Sequence, residues 1–321
     1  MKAKILPYFC FFLATLGFAW YASIPNNEAE SSGREWVNLS KASLQKITFE
    51  DESETVTASR DPAHSDLWWM NVASHKKQGD QATESNDRFL INEKMNELMN
   101  GLSPFRIEKH IGAADKVNLG DFGLDKPTSS FEVNYGDGQV FSLSIGKRSF
   151  QSQQTFVLDK QKSMVLMVDR RVIAMLEKPK ARMALIKPFN FDDNLLLGAD
   201  LSAGGKALKL KRKMQAQQAQ WFVDNKMDVP HEAFRNWLDK LLKLRIEGYP
   251  KDEQKLALEK LEGKFVLKFL GDKGELDSLT LLEESSVPPR YWFKTSKLPV
   301  PVMVDASRVL VLLNDMTAFI K

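Results

Sequence analysis

The residue types that most often carry acid–base or metal chemistry are few and scattered in this chain. Its four histidines, His64, His75, His110 and His231, stand in different segments, and its one cysteine, Cys10, lies in an apolar N-terminal run. The sequence contains no HExxH or HxH pair, no Gly-x-Ser-x-Gly elbow and no Walker phosphate loop. We therefore expect a non-enzymatic protein with no catalytic residue, no cofactor and no metal site built from neighbouring residues.

Two aspartates, Asp169 and Asp305, stand at matching places in the two halves of the chain. Each ends a short apolar run and directly precedes a helical pattern. A carboxylate in that position accepts hydrogen bonds from the unpaired N–H groups of the helix and favours its dipole. We interpret both as helix caps rather than as a carboxylate pair for catalysis. A hydrolase with a dispersed active site stays an alternative, because such a site leaves no local pattern.

These matching aspartates belong to a longer repeat. Two stretches alternate apolar and polar residues around a glycine-containing turn, which is typical of β-hairpins. In each half a further strand, a short apolar run, the aspartate and a helix follow. The hairpins are Phe131–Ile145 and Phe265–Leu281, and the strands after them are Thr155–Leu158 and Tyr291–Thr295. We predict an α+β protein of two similar units, residues 43–180 and 181–321, each a mainly antiparallel sheet with packed helices.

Other patterns complete the two units. Adjacent tryptophans in a strand point to opposite faces, so we expect Trp68 or Trp69 in the core and the other near the surface. Residues 75–85 are predicted to form a polar loop. Trp237 lies in an apolar helical stripe, and Asp228 and Pro230 are predicted to start that helix. The predicted strands are Leu44–Phe49, Thr55–Ala58, Leu67–Val72, Ala207–Lys211 and Gln220–Val223, and the predicted helices are Ser85–Ser103, Pro230–Leu244 and Asp252–Leu261.

The N-terminus has the pattern of a membrane segment. Lys2 and Lys4 precede the nearly uncharged run Ile5–Ile24, whose length matches the roughly 20 residues of a membrane-spanning helix. The distribution of charge places the body outside the cytoplasm. We predict an anchor over residues 1–24 and a polar linker over 25–42, with folding from about Ser43. A cleaved signal ending at Gly17-Phe18-Ala19 is the alternative.

Composition limits the class of partner. The 45 basic and 42 acidic residues nearly balance to a net charge of +3, so we expect no nucleic-acid partner. A basic cluster alternates with leucines, which indicates the solvent face of a strand rather than a lipid site. This cluster comprises Lys206, Lys209, Lys211, Arg212 and Lys213.

Several of these motifs together resemble a known bacterial family. The loop Gly123–Pro127, the Gly-Asp-Gly hairpin ending at Ile145-Gly146, and the runs Phe156–Leu158 and Met164–Val168 are similar to the domain-of-unknown-function family DUF 4340. The likeness covers Leu44–Leu176 and extends more weakly to the C-terminus. It implies an N-terminally anchored envelope protein of the kind often encoded with gliding-motility-type ABC transporters. The family carries no known catalytic residues.

The resemblance and the residues together lead to one functional hypothesis and one alternative. We expect a single-pass protein of the bacterial cytoplasmic membrane, with its body on the periplasmic side, serving as an accessory or scaffold subunit of an ABC-type transport complex. The expected partners are the membrane and ABC transporter subunits. The alternative is an extracytoplasmic ligand-binding module for polysaccharide or peptide that uses exposed aromatics such as Trp69 or Trp292.

Overall fold

The computed structural model describes residues 34–38, 40–78, 81–136, 138–150, 153–189, 191–215, 218–226 and 228–320. The predicted anchor, residues 1–24, lies outside these ranges. Within them, no helix combines the length and apolar character needed to cross a membrane.

The first half of the chain forms a nine-stranded sheet in the order β5-β4-β3-β2-β8-β9-β10-β11-β7, and β1 and β6 pair separately. Its strands are β1 (Arg34–Val37), β2 (Leu44–Glu50), β3 (Glu54–Arg60), β4 (Trp68–Gln78), β5 (Gln81–Leu90), β6 (Phe105–Ile107), β7 (Lys109–Ala113), β8 (Ser129–Tyr135), β9 (Val140–Arg148), β10 (Gln154–Asp159) and β11 (Met164–Asp169). Its helices are α1 (Lys94–Leu102), α2 (Arg171–Leu176) and α3 (Pro179–Met183).

The second half forms an eight-stranded sheet in the order β14-β13-β12-β16-β17-β18-β19-β15. Its strands are β12 (Gly198–Ala203), β13 (Lys206–Gln215), β14 (Gln218–Val223), β15 (Ile246–Gly248), β16 (Gly263–Gly271), β17 (Gly274–Glu284), β18 (Arg290–Thr295) and β19 (Val302–Val304). Its helices are α4 (Glu232–Leu241), α5 (Asp252–Glu259) and α6 (Ala306–Phe319).

The two sheets share one strand order. When β5 is set aside, β4-β3-β2-β8-β9-β10-β11-β7 corresponds strand for strand to β14-β13-β12-β16-β17-β18-β19-β15. The neighbouring strands in both sheets pair antiparallel. The chain is therefore α+β with mainly antiparallel sheets, and the two predicted hairpins, β8–β9 and β16–β17, have equivalent neighbours.

Each sheet covers its own apolar core. One core joins β2, β3, β4 and β8 to α1 and extends to Met183 at the end of α3. The other joins β12, β16, β17 and β18 to α4 and α6, and it includes the fully buried Trp237. Tyr249 packs against both cores.

Side chains and backbone connect the two halves at the end of β5. The ring of Tyr249 meets the ring of Trp69 edge-on at 5.3 Å, and the guanidinium of Arg88 lies 4.2 Å from the Trp69 ring. The N–H of Leu185 donates to Leu90 O at 2.8 Å, and Ile246 N–H donates to Ile186 O at 2.8 Å. The connecting segment is thus hydrogen-bonded to an edge strand of each sheet, β5 and β15.

The folded region begins earlier than predicted. Arg34–Val37, placed in the polar linker from sequence, forms β1 and pairs antiparallel with β6. Trp36 explains this difference. Its indole N–H donates to Asp159 Oδ2 at 2.8 Å, and the Lys162 ammonium lies 4.1 Å from its ring. Two apolar residues in a polar stretch, Trp36 and Val37, therefore suffice to bind the chain to the first core.

Two further predictions were wrong in detail. Residues 75–78 and 81–90, predicted as part of a polar loop and as the start of helix Ser85–Ser103, lie instead in β4 and β5, which pair along their length. The helix begins only at Lys94, whose N–H donates to Asn92 Oδ1 at 2.9 Å. In the second half, α4 starts at Glu232 rather than at Pro230. Its N-cap is His231, whose Nδ1 accepts from Phe234 N–H at 3.1 Å.

A matching arginine in each half donates hydrogen bonds to backbone carbonyls at or just before the start of a strand, β2 in the first half and β12 in the second. Arg60 in β3 donates to Leu44 O at 3.1 Å and to Lys41 O at 3.2 Å. Arg212 in β13 donates to Leu196 O at 3.0 Å and also to Asp193 O. These arginines pair in register with Trp68 and Trp221. The two halves therefore agree in side-chain contacts as well as in strand order.

Candidate functional site

A cleft lies between α1, α2 and β6, and we call it the first groove. Its volume is about 460 Å³, within the usual range for ligand clefts. Apolar side chains line part of it and charged side chains the rest. The lining residues are Glu97, Asn100, Gly101, Pro104, Phe105, Arg106, Glu108, Asp169, Arg171, Val172 and Met175.

Local sequence explains why the two helices come close here. A Cβ atom added at Gly101 would lie 2.4 Å from Val172 Cγ2, so only glycine permits this approach of α1 to α2. Asp169 ends β11 and accepts a hydrogen bond from Arg171 N–H at 2.8 Å, which fixes the start of α2. The prediction that Asp169 caps this helix was wrong, because the N-cap is Arg170 and no side chain accepts a capping hydrogen bond there. The first groove is therefore bounded by a close helix contact and by the Asp169–Arg171 hydrogen bond at the start of α2.

The charges of the first groove are largely paired within the chain. Arg171 donates from Nε to Asp169 Oδ2 at 2.7 Å. This hydrogen bond, the charge of Asp169 and, more weakly, the charge of Glu108 raise the pKa of Arg171 above its ordinary value. Arg106 lies 3.8 Å from Glu35 of β1. With three acidic and two basic lining residues, the first groove carries a formal charge of −1.

An equivalent cleft, the second groove, lies between α4 and α6. It has a volume of about 240 Å³ and is lined by Lys240, Lys243, Arg308, Val311 and Leu312. Its helix α4 follows β14 and its helix α6 follows β19, whereas α1 follows the additional strand β5 and α2 follows β11. Its lining charge is +3, opposite to that of the first groove.

The surface beside the second groove is apolar as well as basic. Leu310 and Val311 of α6 are 46% and 47% exposed. The ammonium of Lys240 in α4 lies 2.7 Å from the carboxylate of Asp315 in α6. Asp305 caps α6 by accepting a hydrogen bond from Arg308 N–H at 3.1 Å. Hydrogen bonds from Ser307 and from backbone N–H groups lower the pKa of Asp305. The second groove thus offers apolar side chains flanked by cations.

The four histidines considered in the sequence analysis do not come together in the structure. His64 lies 3.3 Å from Asp61 and His75 lies 3.1 Å from Thr55, both at the surface. His110 lies near the Trp36 ring, and His231 caps α4. Asp169 and Asp305 stand at equivalent positions in different halves. Among the residues whose placement is described, no group of three or more His, Cys, Asp or Glu is arranged to hold a metal ion.

The tryptophans noted from sequence are buried. Trp69 and Trp292 are 4% and 2% exposed, so neither presents an open ring to solvent. The prediction that either Trp68 or Trp69 stays near the surface was wrong, because Tyr249 and Arg88 cover Trp69 and both tryptophans are buried. Trp237 is fully buried, as predicted. Sequence patterns did not identify either groove, since Gly101 and Pro104 indicated only the end of a helix.

The basic strand has the predicted exposure at its four lysines, and the prediction was wrong for Arg212. Lys206, Lys209, Lys211 and Lys213 are exposed in β13, whereas Arg212 points to the other face and binds backbone carbonyls. Lys211 lies 2.6 Å from Asp224 of the neighbouring segment. The cluster is therefore a solvated strand face with at least one internal ion pair.

Comparison with known proteins supports the resemblance noted from sequence. Residues 111–262 match the family described as Domain of unknown function (DUF4340). This stretch runs from β7 in the first sheet to α5 beside the second. The chain therefore resembles this family of proteins, in a region that joins the two halves. A search of curated proteins finds no match to the chain.

Proposed function

We propose that this chain is a non-enzymatic, membrane-anchored envelope protein that serves as an accessory or scaffold subunit of an ABC-type transport complex. The observation that carries the proposal is the groove repeated beside both sheets. Two grooves of similar position and opposite charge allow one chain to hold two different segments at once. That property suits a scaffold, which gains by binding several partners in a fixed arrangement.

The position of β1 supports an anchored scaffold. Glu35 of β1 lies against Arg106 of the first groove. Only residues 25–33 separate β1 from the predicted anchor, and nine residues reach at most about 30 Å when fully extended. An anchor over residues 1–24 would therefore keep the first groove close to the membrane. Transporter subunits embedded there would be within its reach.

The family resemblance supports the choice of partner. Proteins of the family that this chain resembles are expected to be anchored in the envelope and encoded beside gliding-motility-type ABC transporters. A scaffold role on the periplasmic side agrees with that setting, and it requires no catalytic residue.

The test is affinity purification of the full-length tagged protein from membranes in mild detergent, followed by mass spectrometry. We expect transporter subunits to copurify with the parent, and the double variant Glu97→Lys/Glu108→Lys to reduce their recovery. Lys209→Glu on the exposed face of β13 is the matched charge-reversal control. Equal recovery with the groove variant, or no transporter subunit with the parent, would overturn the proposal.

The anchor is tested separately by fractionation. Full-length protein should remain in the membrane fraction after a high-salt wash, because a spanning helix is not released by charge screening. Recovery of a soluble mature chain that begins near Trp20 would instead identify residues 1–19 as a cleaved signal.

A further inference from the structure

One end of β9 carries an exposed aromatic ring beside two exposed cations. Phe150, just after the strand, is 88% exposed, and it is the one aromatic among the large apolar side chains that are exposed in the described ranges. Lys147 and Arg148, the last two residues of β9, are exposed as well. We call residues 147–150 the Phe150 corner. A single exposed apolar side chain is common on protein surfaces, so the surroundings of the ring decide whether it has a partner.

The backbone of the Phe150 corner is fixed by the neighbouring strand. Ser149 N–H donates to Gln154 O of β10 at 3.0 Å. The hydroxyl of the buried Thr155 donates to Lys147 O at 3.2 Å. The fold therefore holds the backbone on both sides of Arg148, and the exposed ring follows directly after this ordered segment.

Neither cation of the Phe150 corner is neutralised within the described part of the chain. None of the ion pairs between described residues includes Lys147 or Arg148. Asp121 and Asp125 flank Gly123, which approaches the backbone of Lys147, but they pair with neither cation. An apolar side chain beside cations is the combination by which peripheral segments bind an anionic lipid surface.

The strand β10 relates the Phe150 corner to the start of the fold. β10 runs from Gln154, which accepts the hydrogen bond of the corner, to Asp159 at the other end of the strand. The indole of Trp36 in β1 binds Asp159. The middle of β1 therefore lies beside the end of β10 that is far from the corner.

The first residue of β1 lies nearer to the corner. Arg34 pairs with Ile107, and the next residue, Glu108, donates its N–H to Met167 O at 2.8 Å. Met167 pairs with Phe156, close to the start of β10. From Arg34 onward β1 therefore runs away from the Phe150 corner, and the chain enters the fold from the corner's side. An anchor over residues 1–24, joined to Arg34 by nine residues, would place this side of the sheet toward the membrane.

We propose that the Phe150 corner contacts the membrane surface, with the ring of Phe150 in the interfacial layer and Lys147 and Arg148 at anionic phospholipid head groups. The proposal rests on the membrane anchor of the proposed function. It adds a second contact, which orients the first sheet on the bilayer. One ring and two cations bind a membrane weakly by themselves, but the anchor makes the contact intramolecular and so raises its effective concentration.

Lipid contact can be measured in the full-length protein, reconstituted into vesicles of phosphatidylcholine and phosphatidylglycerol. Cys10→Ala removes the one native cysteine, and Phe150→Cys then carries an environment-sensitive fluorophore. Val140→Cys is the matched control, because Val140 is 38% exposed at the opposite end of β9. We expect emission from position 150 to shift to shorter wavelength and to be quenched by nitroxide-labelled lipids. Emission from position 140 should show neither effect.

A second pair of measurements tests the cations. Reversing both charges, Lys147→Glu with Arg148→Glu, should reduce quenching at position 150, and so should vesicles that lack phosphatidylglycerol. Thr155 binds the backbone of Lys147 rather than its side chain, so the double variant should keep its fold, which circular dichroism verifies. Lys209→Glu on the exposed face of β13 is the charge-reversal control and should leave quenching unchanged.

The outcomes separate this contact from the anchor. Equal quenching at positions 150 and 140, in chains that float with the vesicles, would overturn the contact and leave the anchor intact. Chains that do not float with the vesicles would overturn both. A fluorophore at position 150 that is shielded from water but not quenched by nitroxide lipids would show that another copy of the chain covers the corner, which also overturns the proposal. Quenching that persists after charge reversal would refute the binding of head groups by the two cations. Recovery of transporter subunits is measured independently of all four.

Discussion

Trp237→Ala should strongly destabilise the C-terminal sheet. Trp237 is fully buried, and its ring meets those of Phe265 and Phe319 at 5.6 and 5.9 Å. Its indole N–H donates to Leu312 O at 2.9 Å, which connects α4 to α6. Replacing a buried tryptophan with alanine costs about 3–5 kcal/mol, from lost apolar transfer and the remaining cavity. A typical domain has a total stability of about 5–15 kcal/mol, so the loss is a large fraction.

The effect should be largest in the second half, because Trp237 belongs to the second core, which meets the first core at the partly buried Tyr249. Urea unfolding of the full-length chain, followed by circular dichroism, would measure the change in unfolding free energy. Hydrogen exchange would locate it, with lost protection expected in β16 and α6 and unchanged protection in β2 and β8. Trp237→Phe, which keeps a ring but loses the hydrogen bond, should cost about 1–2 kcal/mol.

Leu256→Ala is the matched control, because Leu256 is 70% exposed in α5 and its truncation should change stability by less than about 0.5 kcal/mol. The reasoning is refuted if Trp237→Ala unfolds at the same urea concentration as the parent but loses a partner. Trp237 would then be a surface recognition residue.

Three further substitutions test other contacts. Arg212→Lys cannot reach both Leu196 O and Asp193 O, so it should cost about 1–3 kcal/mol and increase hydrogen exchange at the turn before β12. Burial raises the pKa of Tyr249 to about 12, so the parent should lose up to about 3 kcal/mol of stability as pH rises from about 10 to 12. Tyr249→Phe keeps the ring against Trp69 and should lack that loss, which urea unfolding across this pH range would measure. Burial likewise raises the pKa of Asp277, whose Oδ1 accepts from Ser296 Oγ at 2.7 Å. The stability that the neutral carboxyl contributes is fully present below the ordinary pKa and is lost as pH rises through the raised pKa. The unfolding free energy of Asp277→Asn should therefore rise relative to that of the parent between pH about 4 and neutrality. An equal pH dependence of stability in the two proteins would contradict this.

Sequence patterns predicted the parts of the fold whose periodicity was local. The hairpins β8–β9 and β16–β17 had clear alternation and glycine turns, and both appear with their following strands and helices. Asp305 caps α6 as predicted, because N-capping depends on neighbouring residues only. Trp237 was recognisable as a core residue since its helical stripe was unambiguous.

Other features depended on contacts distant in sequence. β1 forms because Trp36 reaches Asp159, a partner 123 residues away. Phe89 and Leu90 fit a helical stripe locally, but pairing with Met70 and Trp69 makes them part of a strand. The equivalent arginines of the two halves could have been recognised from the sequence by their spacing. Arg60 and Arg212 each follow the leucine that they bind by 16 residues, and this shared spacing could have identified the contact.

The two grooves escaped prediction for a related reason, since each is formed by two helices that lie far apart in sequence. Comparing the two halves separates the residues that maintain the fold from those that distinguish the surfaces. Both halves contain an arginine opposite a tryptophan and an aspartate just before a helix, α2 or α6, and these residues make backbone hydrogen bonds.

The grooves differ at equivalent positions. Gly101 and Lys240 are equivalent because each directly precedes the last buried leucine of its helix, Leu102 or Leu241. Val172 and Arg308 are equivalent because each stands at the same distance in sequence after the aspartate of its half. A glycine–valine contact in one half is thus a pair of cations in the other. Since the strand order is the same in both halves, folding alone does not require this difference. The scaffold role proposed above would use this difference, and it places the partners at the grooves rather than at the sheets.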